Sequence, residues 1–443
     1  MKGQKHYISA LLPKDLLSDL SISEDEFEAT NEEKENSPSF TFNIRRCISE
    51  DPISTSSMII NQSSSSHSSD SKEKQSNNLH KKSGTFPKSK APFIFEHEME
   101  YNNLTFKQFF EIPKNKENII HIIQNCAGSH LLQKMIKTIE PLDIDNLLSI
   151  IGDKIKLIMC DNYGNYFLQK IILKCNKSQR LLILNLIKSD FYQIANDLSG
   201  THCLQSLVES ITSKEEEDII KTCIENNLYD LAISQSSTHI IQKLVNKKIY
   251  NRNYLIQFFI QNFTLLSLNL NGAAIIKKFI SEVNSIQIGK IIIQILEKNY
   301  FQIVESQFGN YIIQDAIDHF GYKNCEKLII SILNNAVYFA LQKYASNVVD
   351  KIAIVVHKDN AFLYKKLIEI MILNLNNLKI LIDNKYGMFV LGNLVQLMTR
   401  QEKTTIKNFL INNNCNCFLN SSNYYSFFST SNSKLSKFLC LLS

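Results

Sequence analysis

Apolar side chains recur at intervals of three and four residues along the chain from about residue 95 onward. This spacing places them on one side of an α-helix and predicts a succession of amphipathic helices. The clearest stretch is Asp161 to Leu173, DNYGNYFLQKIIL, in which Asn165 and Gln169 stand four positions apart on one helical face. Together with Tyr166 they put two amides and an aromatic ring, all expected to be exposed, on a surface suited to flat polar partners such as unpaired bases.

The same stretch recurs seven more times with a steady period. The copies read CAGSHLLQK at Cys126, NYGNYFLQK at Asn162, LSGTHCLQS at Leu198, QSSTHIIQK at Gln235, LNGAAIIKK at Leu270, QFGNYIIQD at Gln307, KYASNVVDK at Lys343 and KYGMFVLGN at Lys385. The first amide or hydroxyl position, here called the marker, falls at 129, 165, 201, 238, 273, 310, 346 and 388, so the spacings are 36, 36, 37, 35, 37, 36 and 42 residues. Such a period has room for a short helix, a longer helix and a third packing helix, and it predicts an all-α solenoid of eight layers.

The ends of the array and its one long spacing carry further expectations. The last spacing implies about six extra residues between Ile352 and Leu381, which we expect to lengthen a loop or a helix without breaking the stack. Terminal layers need polar outer faces. The stretches Glu98–Glu111 and Arg400–Leu410 are therefore predicted to be the terminal caps.

Residues 1–95 differ in composition from the rest of the chain. They are acidic, then Ser-rich, then basic, and they hold too little apolar surface to offset the entropy of ordering, so we predict a disordered region. Within it, the apolar segment Ile8 to Leu20 either folds on a partner or belongs to an inert solvated tail. The repeat domain is predicted to span residues 96–425, and residues 426–443 form a C-terminal extension that is either ordered or a loose tail.

Composition narrows the function classes. Apolar residues make up 44% of the chain while Gly and Pro number 12 and 7, which favours an α-rich fold. The net charge of +5 permits a polyanionic partner without requiring one. The ten cysteines show no C-x-x-C spacing and there is no run of about 18 apolar residues, so we expect reduced thiols in a cytoplasmic protein without a membrane span.

The order of a small residue, Asn, Ser or Thr, an aromatic ring or His, two apolar residues and Gln resembles the Pumilio (PUF) repeat. The strings QFGNYIIQ and KYASNVVD are close to the usual sixth and seventh repeats of that family. The resemblance implies a right-handed crescent of eight repeats whose concave face binds single-stranded RNA, one base per repeat, antiparallel to the protein chain.

The resemblance also assigns roles within each repeat. The marker and the residue four positions later contact the base edge, and the residue after the marker stacks on bases. The predicted edge-contacting residues are Ser129, Gln133, Asn165, Gln169, Thr201, Gln205, Thr238, Gln242, Asn310, Gln314, Ser346 and Asp350. The predicted stacking residues are His130, Tyr166, His202, His239, Tyr311, Asn347 and Phe389.

By the same resemblance, the pairs in repeats two and six match uracil readers and the pair in repeat one matches an adenine reader. Ser346 with Asp350 resembles the guanine reader, although the family normally carries Glu at the second position. The Thr–Gln pairs of repeats three and four are unusual, and we expect weak reading there. The implied RNA is 5′-N-G-U-N-N-N-U-A, which overlaps the UGUA-type element of the family.

Two repeats depart from the pattern altogether. The fifth carries Ala273, Ala274 and Lys277, of which only the lysine can hold a phosphate or an acceptor edge. The eighth carries Met388 and Gly392 at the two edge positions, so both edge-reading groups are lost.

Three functions remain open at this point. The first is a monomeric regulator that binds 3′-untranslated regions of messenger RNA and recruits a deadenylase or repressor complex through its N-terminal region. The second is an atypical PUF-like protein that binds ribosomal RNA precursors during ribosome biogenesis. The third, a protein-only scaffold of the armadillo or HEAT kind, does not explain the amide–aromatic–amide register. The chain shows no nucleophile with a partnered base, no metal-ligand spacing and no Gly-rich phosphate loop, so we expect no enzyme, cofactor or metal.

Overall fold

The computed structural model describes residues 101, 103–247, 253–415 and 437–442. Within these residues the secondary structure is helical, with no β-strand. The predicted disordered region, the segment Ile8 to Leu20 and the start of the C-terminal extension lie outside the described residues.

The first four repeats are built from short outer elements followed by a helix that carries the marker, here called the ladder helix. Repeat one comprises Phe106–Glu111, Pro113–Glu117, Ile119–Ile123 and the ladder helix Cys126–Met135. Repeat two comprises Pro141–Ile151, Ile155–Met159 and the ladder helix Gly164–Lys174. Repeats three and four comprise Lys177–Ile187, Phe191–Asn196 and Gly200–Ser210, then Lys214–Ile224, Leu228–Ile233 and Thr238–Asn246, the last of each trio being the ladder helix.

The last four repeats vary this plan. In repeats five and six one continuous helix, Asn253–Ser267 or Ile286–Glu305, precedes the ladder helix, Leu270–Glu282 or Gly309–Phe320. Repeat seven comprises Tyr322–Leu333, Ala336–Ala340 and the ladder helix Ala345–Asp359. Repeat eight comprises Ala361–Ile368, a π-helical turn at Glu369–Leu373, Leu375–Asp383 and the ladder helix Lys385–Leu397, after which Arg400–Leu410 closes the array.

The predicted α-solenoid of eight repeats is confirmed. Each ladder helix contacts the ladder helices of the repeats before and after it. Its apolar side faces the interior: in repeat two the side chains of Phe167, Leu168 and Ile171 are 0% exposed. Each such side chain contributes about 1.5–3 kcal/mol by leaving water, so the stacked layers stabilise one another.

The long last spacing comes with two longer helices rather than with one longer loop. The ladder helix Ala345–Asp359 has 15 residues, against 12 in Gly309–Phe320. The helix Leu375–Asp383 has nine residues, against five in its counterpart Ala336–Ala340. Of the two expected outcomes, a longer loop or a longer helix, the structure shows longer helices in an unbroken stack.

Both predicted caps cover the ends of the array. In the described part of the first, Phe106 and Phe109 are 0% exposed, and the backbone N–H of Phe106 donates to Thr138 Oγ1 over 3.1 Å. In Arg400–Leu410 the buried residues are Ile406 and Leu410, which leaves a polar outer face. This is the arrangement that a terminal layer requires.

A close approach of backbone to backbone sets the position of each ladder helix. A Cβ on Gly309, the residue before the marker, would stand 2.6 Å from the carbonyl oxygen of Ile303 in the preceding helix. In repeat four a serine takes this place, and Ser237 Oγ donates to the equivalent carbonyl, that of Leu231, over 2.9 Å. The small residue that precedes the marker is thus a requirement of the fold.

A buried ion pair joins the outer helices of repeats three and four. Arg180 Nε lies 2.7 Å from Glu216 Oε1, and its Nη1 donates to the carbonyl of Cys175. Burial raises the pKa of Glu216, but hydrogen bonds from Arg180, the Thr212 backbone and Ser213 outweigh burial and hold that pKa below its ordinary value. Both partners are satisfied, as a buried pair must be.

Candidate nucleic-acid interface

The marker, the next residue and the residue four after the marker come together on one surface, here called the ladder face. In every ladder helix the marker and the residue four later lie on the same side, one turn apart. Because successive ladder helices contact one another, these positions form eight neighbouring rungs. The structure therefore brings the sequence-predicted site residues into one continuous row.

In six of the eight repeats the side chain four residues before the marker caps the start of the ladder helix. In repeat two, Asp161 Oδ1 accepts hydrogen bonds from the backbone N–H groups of Tyr163 (2.9 Å) and Gly164 (2.7 Å). In repeat six, Ser306 Oγ serves the N–H groups of Phe308 and Gly309 in the same way. The corresponding acceptors elsewhere are Asn125, Asp197, Asn269 and Asn384. Sequence reasoning did not include this position, although an acid, amide or hydroxyl recurs there.

In repeat two the marker amide, Asn165, accepts a hydrogen bond from the second amide, Gln169. Asn165 Nδ2 donates to the carbonyl of Asp161 over 2.7 Å, and Asn165 Oδ1 accepts from Gln169 Nε2 over 2.9 Å. Asn165 is 2% exposed, so the expectation of an exposed marker is wrong. The helix periodicity gives the face on which a side chain lies but not its depth, and the next layer covers this position.

Repeat six repeats this geometry. Asn310 Nδ2 donates to the carbonyls of Ser306 and Gln307, each over 2.9 Å, and Gln314 Nε2 lies 3.2 Å from Asn310 Oδ1. Asn310 is 0% exposed, while Gln314 is half-buried. Gln314 Nε2 also lies 3.2 Å from the carbonyl oxygen of Asn310. In repeat two the Gln169 amide has the single Oδ1 acceptor, so it keeps its oxygen and its second hydrogen, which together match the adjacent donor and acceptor of a uracil edge.

The hydroxyl markers of repeats one and three bond to the next repeat instead, whereas Ser346 Oγ donates to the carbonyl of Lys343 over 3.3 Å. Ser129 Oγ donates to the carbonyl of Tyr163 in the next repeat over 2.8 Å, and accepts from Gln133 Nε2. Thr201 Oγ1 does the same with the carbonyl of Ser236 over 2.9 Å, and Gln205 Nε2 lies 3.4 Å from it. The unusual Thr–Gln pair of repeat three therefore has the geometry of the Ser–Gln pair of repeat one.

The second Thr–Gln pair differs from the first. Thr238 is 3% exposed, and its Oγ1 has no hydrogen-bond partner among the residues that the structure describes. A buried unpaired hydroxyl costs about 1–3 kcal/mol. Gln242, four residues later, is half-buried like the other glutamines of the row.

Repeat seven presents an acidic acceptor. Ser346 is 2% exposed and Asp350 is half-buried, with an Oδ1 that lacks a partner among the described residues. Burial raises the pKa of Asp350, and a hydrogen bond from the Asn393 side chain lowers it by less. An acceptor with an unmet lone pair suits the two adjacent N–H donors of a guanine edge.

The fifth and eighth rungs lack paired edge groups. Ala273 is buried and Ala274 is exposed, while Lys277 Nζ lies 3.2 Å from Asp315 Oδ2 of the next repeat. The lysine that sequence reasoning offered to a phosphate or base thus has a carboxylate partner that was not foreseen. In repeat eight, Met388 and Gly392 present no polar side-chain group.

The predicted stacking positions are open to a ligand. Tyr166, Tyr311 and Phe389 are 56%, 57% and 55% exposed. His130, His202 and His239 are also exposed, and Asn347 is partly exposed. Flat rings that alternate with polar edge groups along one surface can hold successive unpaired bases by stacking.

A row of basic residues runs beside the edge-reading positions and was missed by the sequence analysis. The residue five after the marker is lysine in five repeats: Lys134, Lys170, Lys243, Lys278 and Lys351. Lys134 and Lys170 are exposed. Lys243 pairs with Glu209, Lys278 with Glu282 and Lys351 with Asp318. The signal in the sequence is the lysine that ends the strings HLLQK, YFLQK, HIIQK, AIIKK and NVVDK.

Other chemistry is sparse in the described part of the chain. It contains no group of three His, Cys, Asp or Glu residues placed to hold a metal ion. The cysteines whose side chains are described are free thiols, and burial raises the pKa of Cys175 and Cys325 to about 12. None of the described helices has the length and apolar character needed to cross a bilayer.

Comparison with known proteins agrees with this geometry. The family described as NOP9-like PUF repeat domain matches residues 102–389. Pumilio homolog 12 of Arabidopsis thaliana is 23% identical over 320 residues, which cover 71% of this chain and 52% of that protein. The chain spans about half of the length of the curated relatives it matches.

Two solved structures share the fold. The Puf4 RNA binding domain bound to the HO endonuclease RNA 3′ UTR recognition sequence has a TM-score of 0.61 at 18% identity, covering 72% of this chain and 97% of that one. The RNA-binding domain of yeast Puf5p bound to AAT2 RNA has a TM-score of 0.57 at 21% identity, covering 75% and 99%. Because the family match takes in well over half of the 443 residues, the chain belongs to the PUF family of Pumilio-repeat proteins and carries a NOP9-like PUF repeat domain.

Proposed function

We propose that the ladder face binds single-stranded RNA, one base per repeat, and that the protein is a sequence-specific regulator of messenger RNA. The observation that carries the proposal is the set of marker and marker-plus-four side chains, hydrogen-bonded to each other in repeats one, two, three and six. These bonds fix the second side chain before a base arrives, which lowers the entropy cost of recognition.

The edge groups of the rungs set the sequence. With the RNA antiparallel to the chain, Asp350 takes a guanine at the second base, Gln314 a uracil at the third, Gln169 a uracil at the seventh and Gln133 an adenine at the eighth. The expected element is 5′-N-G-U-N-N-N-U-A, and we place such elements in the 3′-untranslated regions of messenger RNAs. The Puf4 and Puf5p structures that share this fold hold RNA, the former a 3′ UTR recognition sequence.

We also propose what happens to the bound transcript. We assign the N-terminal region, residues 1–95, to the recruitment of a deadenylase or repressor complex, and the protein to the cytoplasm as a monomer. Binding then leads to repression or decay without an enzymatic site on the repeats.

A second candidate function is supported by the family match. The matching domain is NOP9-like, and repeats five and eight lack edge groups, both of which favour a less specific protein that binds ribosomal RNA precursors in ribosome biogenesis. The four ordered pairs favour the first candidate, because a protein that ignores sequence has no need of them.

Crosslinking the full chain to cellular RNA and sequencing the bound fragments separates the two candidates. Enrichment of a UGU-containing element in messenger RNA is the expected result. Enrichment of ribosomal RNA precursors without such an element contradicts the first candidate and supports the second. Binding of a UGUANAUA-type oligonucleotide no better than a scrambled one at physiological salt would overturn sequence-specific reading altogether.

A further inference from the structure

The last described residues of the chain lie against the eighth rung. Residues 437–441 are helical, and Phe438 and Leu442 in this segment are 0% and 3% exposed. A Cβ built on Gly392 would stand 3.8 Å from Leu441 Cδ1, which is van der Waals contact. Gly392 occupies the marker-plus-four position, where the other rungs present their second edge group. The segment 437–442, here called the C-terminal seat, therefore reaches the ladder face.

The eighth rung is shaped for this contact. The marker-plus-four residue is Gln in five repeats, Asp in repeat seven and Lys in repeat five, and each of these side chains extends several atoms beyond Cβ. At position 392 such a side chain would extend from a Cβ that already contacts Leu441 Cδ1. The marker of this rung is Met388, an apolar and adaptable side chain, and the seat itself reads KFLCLL. Both surfaces are apolar, so their contact is favourable in water.

We propose that the C-terminal seat occupies the base-edge position of the eighth repeat, so that the RNA site ends at repeat seven. The inference rests on the proposed function, since it concerns the same surface. Phe389, the residue after the marker of this rung, is 55% exposed, and we assign its ring to the end of the stack, over the guanine taken by repeat seven. The base that precedes that guanine then makes no contact on this chain, and Gly392 and Leu441 determine the length of the site.

The direct test is RNA binding to the full chain with and without the eighth base. Fluorescence anisotropy is measured with the seven-base oligonucleotide GUAAAUA and with the four eight-base versions that carry A, C, G or U before it. The wild-type chain is expected to bind all five within about twofold, since an unbound base adds no stacking energy.

Leu441→Asp removes the apolar contact, and Cys440→Ser, a change at an exposed neighbour, is the matched control. In the Leu441→Asp chain the eight-base RNAs are expected to bind at least about fivefold more tightly than the seven-base RNA, because the freed rung accepts one more stacked base. A wild-type chain that already gains about fivefold from the eighth base overturns the inference. So does a Leu441→Asp chain that gains nothing.

A second measurement needs no RNA. Hydrogen–deuterium exchange of the wild-type chain should show protected amides in residues 439–442, where the N–H of Leu442 donates to the carbonyl of Leu439. Gly392→Gln should remove that protection, because the new side chain displaces Leu441. Rapid exchange in the wild type overturns the inference by itself. If every oligonucleotide fails to bind while the amides are protected, both the proposed RNA binding and the proposed length of the RNA site are contradicted. The packing of the C-terminal seat on the eighth repeat is then still supported.

Discussion

The ladder helices of repeats two and five bury the same apolar positions, but they present different side chains on the ladder face. In repeat two Phe167 and Leu168 are 0% exposed, as are Ile275 and Ile276 in repeat five. Both of these ladder helices start at a capped end, with a glycine in close contact with the preceding helix. Yet repeat two presents an ordered pair of amides, whereas repeat five presents Ala273 and a lysine paired with a neighbouring carboxylate.

This difference shows that packing between repeats and contact with RNA bases depend on different positions of the same helix. The residues before the marker and two and three after it hold the stack together. The marker, the next residue and the residue four later can change without loss of a layer, as repeats five and eight show. Stability and RNA affinity should therefore respond to different substitutions.

The largest expected effect comes from two adjacent residues of repeat two. Phe167→Ala removes a fully buried ring and should lower the free energy of unfolding by about 3–5 kcal/mol. Tyr166→Ala, one residue earlier on the ladder face, should leave that free energy within about 0.5 kcal/mol and weaken RNA binding by about 1–3 kcal/mol through lost stacking. Urea unfolding and anisotropy measure the two effects, and a Tyr166→Ala chain as unstable as Phe167→Ala would contradict the separation.

A smaller effect is expected at the glycine before a marker. Gly309→Ala puts a Cβ 2.6 Å from the carbonyl oxygen of Ile303, which the backbone must relieve at a cost of about 1–3 kcal/mol. Gly392→Ala is the control, because its Cβ would meet only Leu441 Cδ1 at 3.8 Å. Equal urea midpoints for the two variants would show that the close approach does not constrain the ladder helix.

The smallest stability effect should have the opposite sign. Because burial raises the pKa of Asp350 in the folded chain, its ionisation costs stability as pH rises from the ordinary Asp value through the raised value. Asp350→Asn should remove this cost and raise the free energy of unfolding by up to about 1 kcal/mol at neutral pH.

The same variant should weaken binding of the RNA that carries guanine at the second base, since the amide has one acceptor where the carboxylate has two. Urea midpoints compared at mildly acidic and neutral pH, with anisotropy at neutral pH, test both halves. A variant that loses stability at neutral pH would show that ionised Asp350 supports the fold.

Much of this separation was predictable from the sequence. The steady spacing of the markers fixed the number of repeats and the row of edge groups, because periodicity is a local property of the chain. The burial of Asn165 and Asn310 was not predictable, since it depends on how closely the next layer approaches. The sequence analysis also did not predict that repeats five and six each have one continuous helix before the ladder helix. In repeat two, by contrast, the outer helix and the short helix separate at Gly152.

Contacts between distant parts of the chain were likewise beyond the sequence. The Lys277–Asp315 pair and the contact of Leu441 with Gly392 join residues that no short-range pattern relates. The basic row after the glutamines and the capping residues before the markers were readable, because both recur with the period of the repeat.

The central claim is that the marker pair, in the repeats that carry one, selects the base, and one double variant tests it most directly. Asn310→Ser with Gln314→Glu replaces the amide pair of repeat six by a hydroxyl and an acid. Anisotropy with oligonucleotides that differ only at the third base should show preference moving from uracil to guanine by about 1–3 kcal/mol, the usual contribution of a bidentate base contact. An unchanged preference for uracil, or equal loss of affinity for all four bases, would contradict the account.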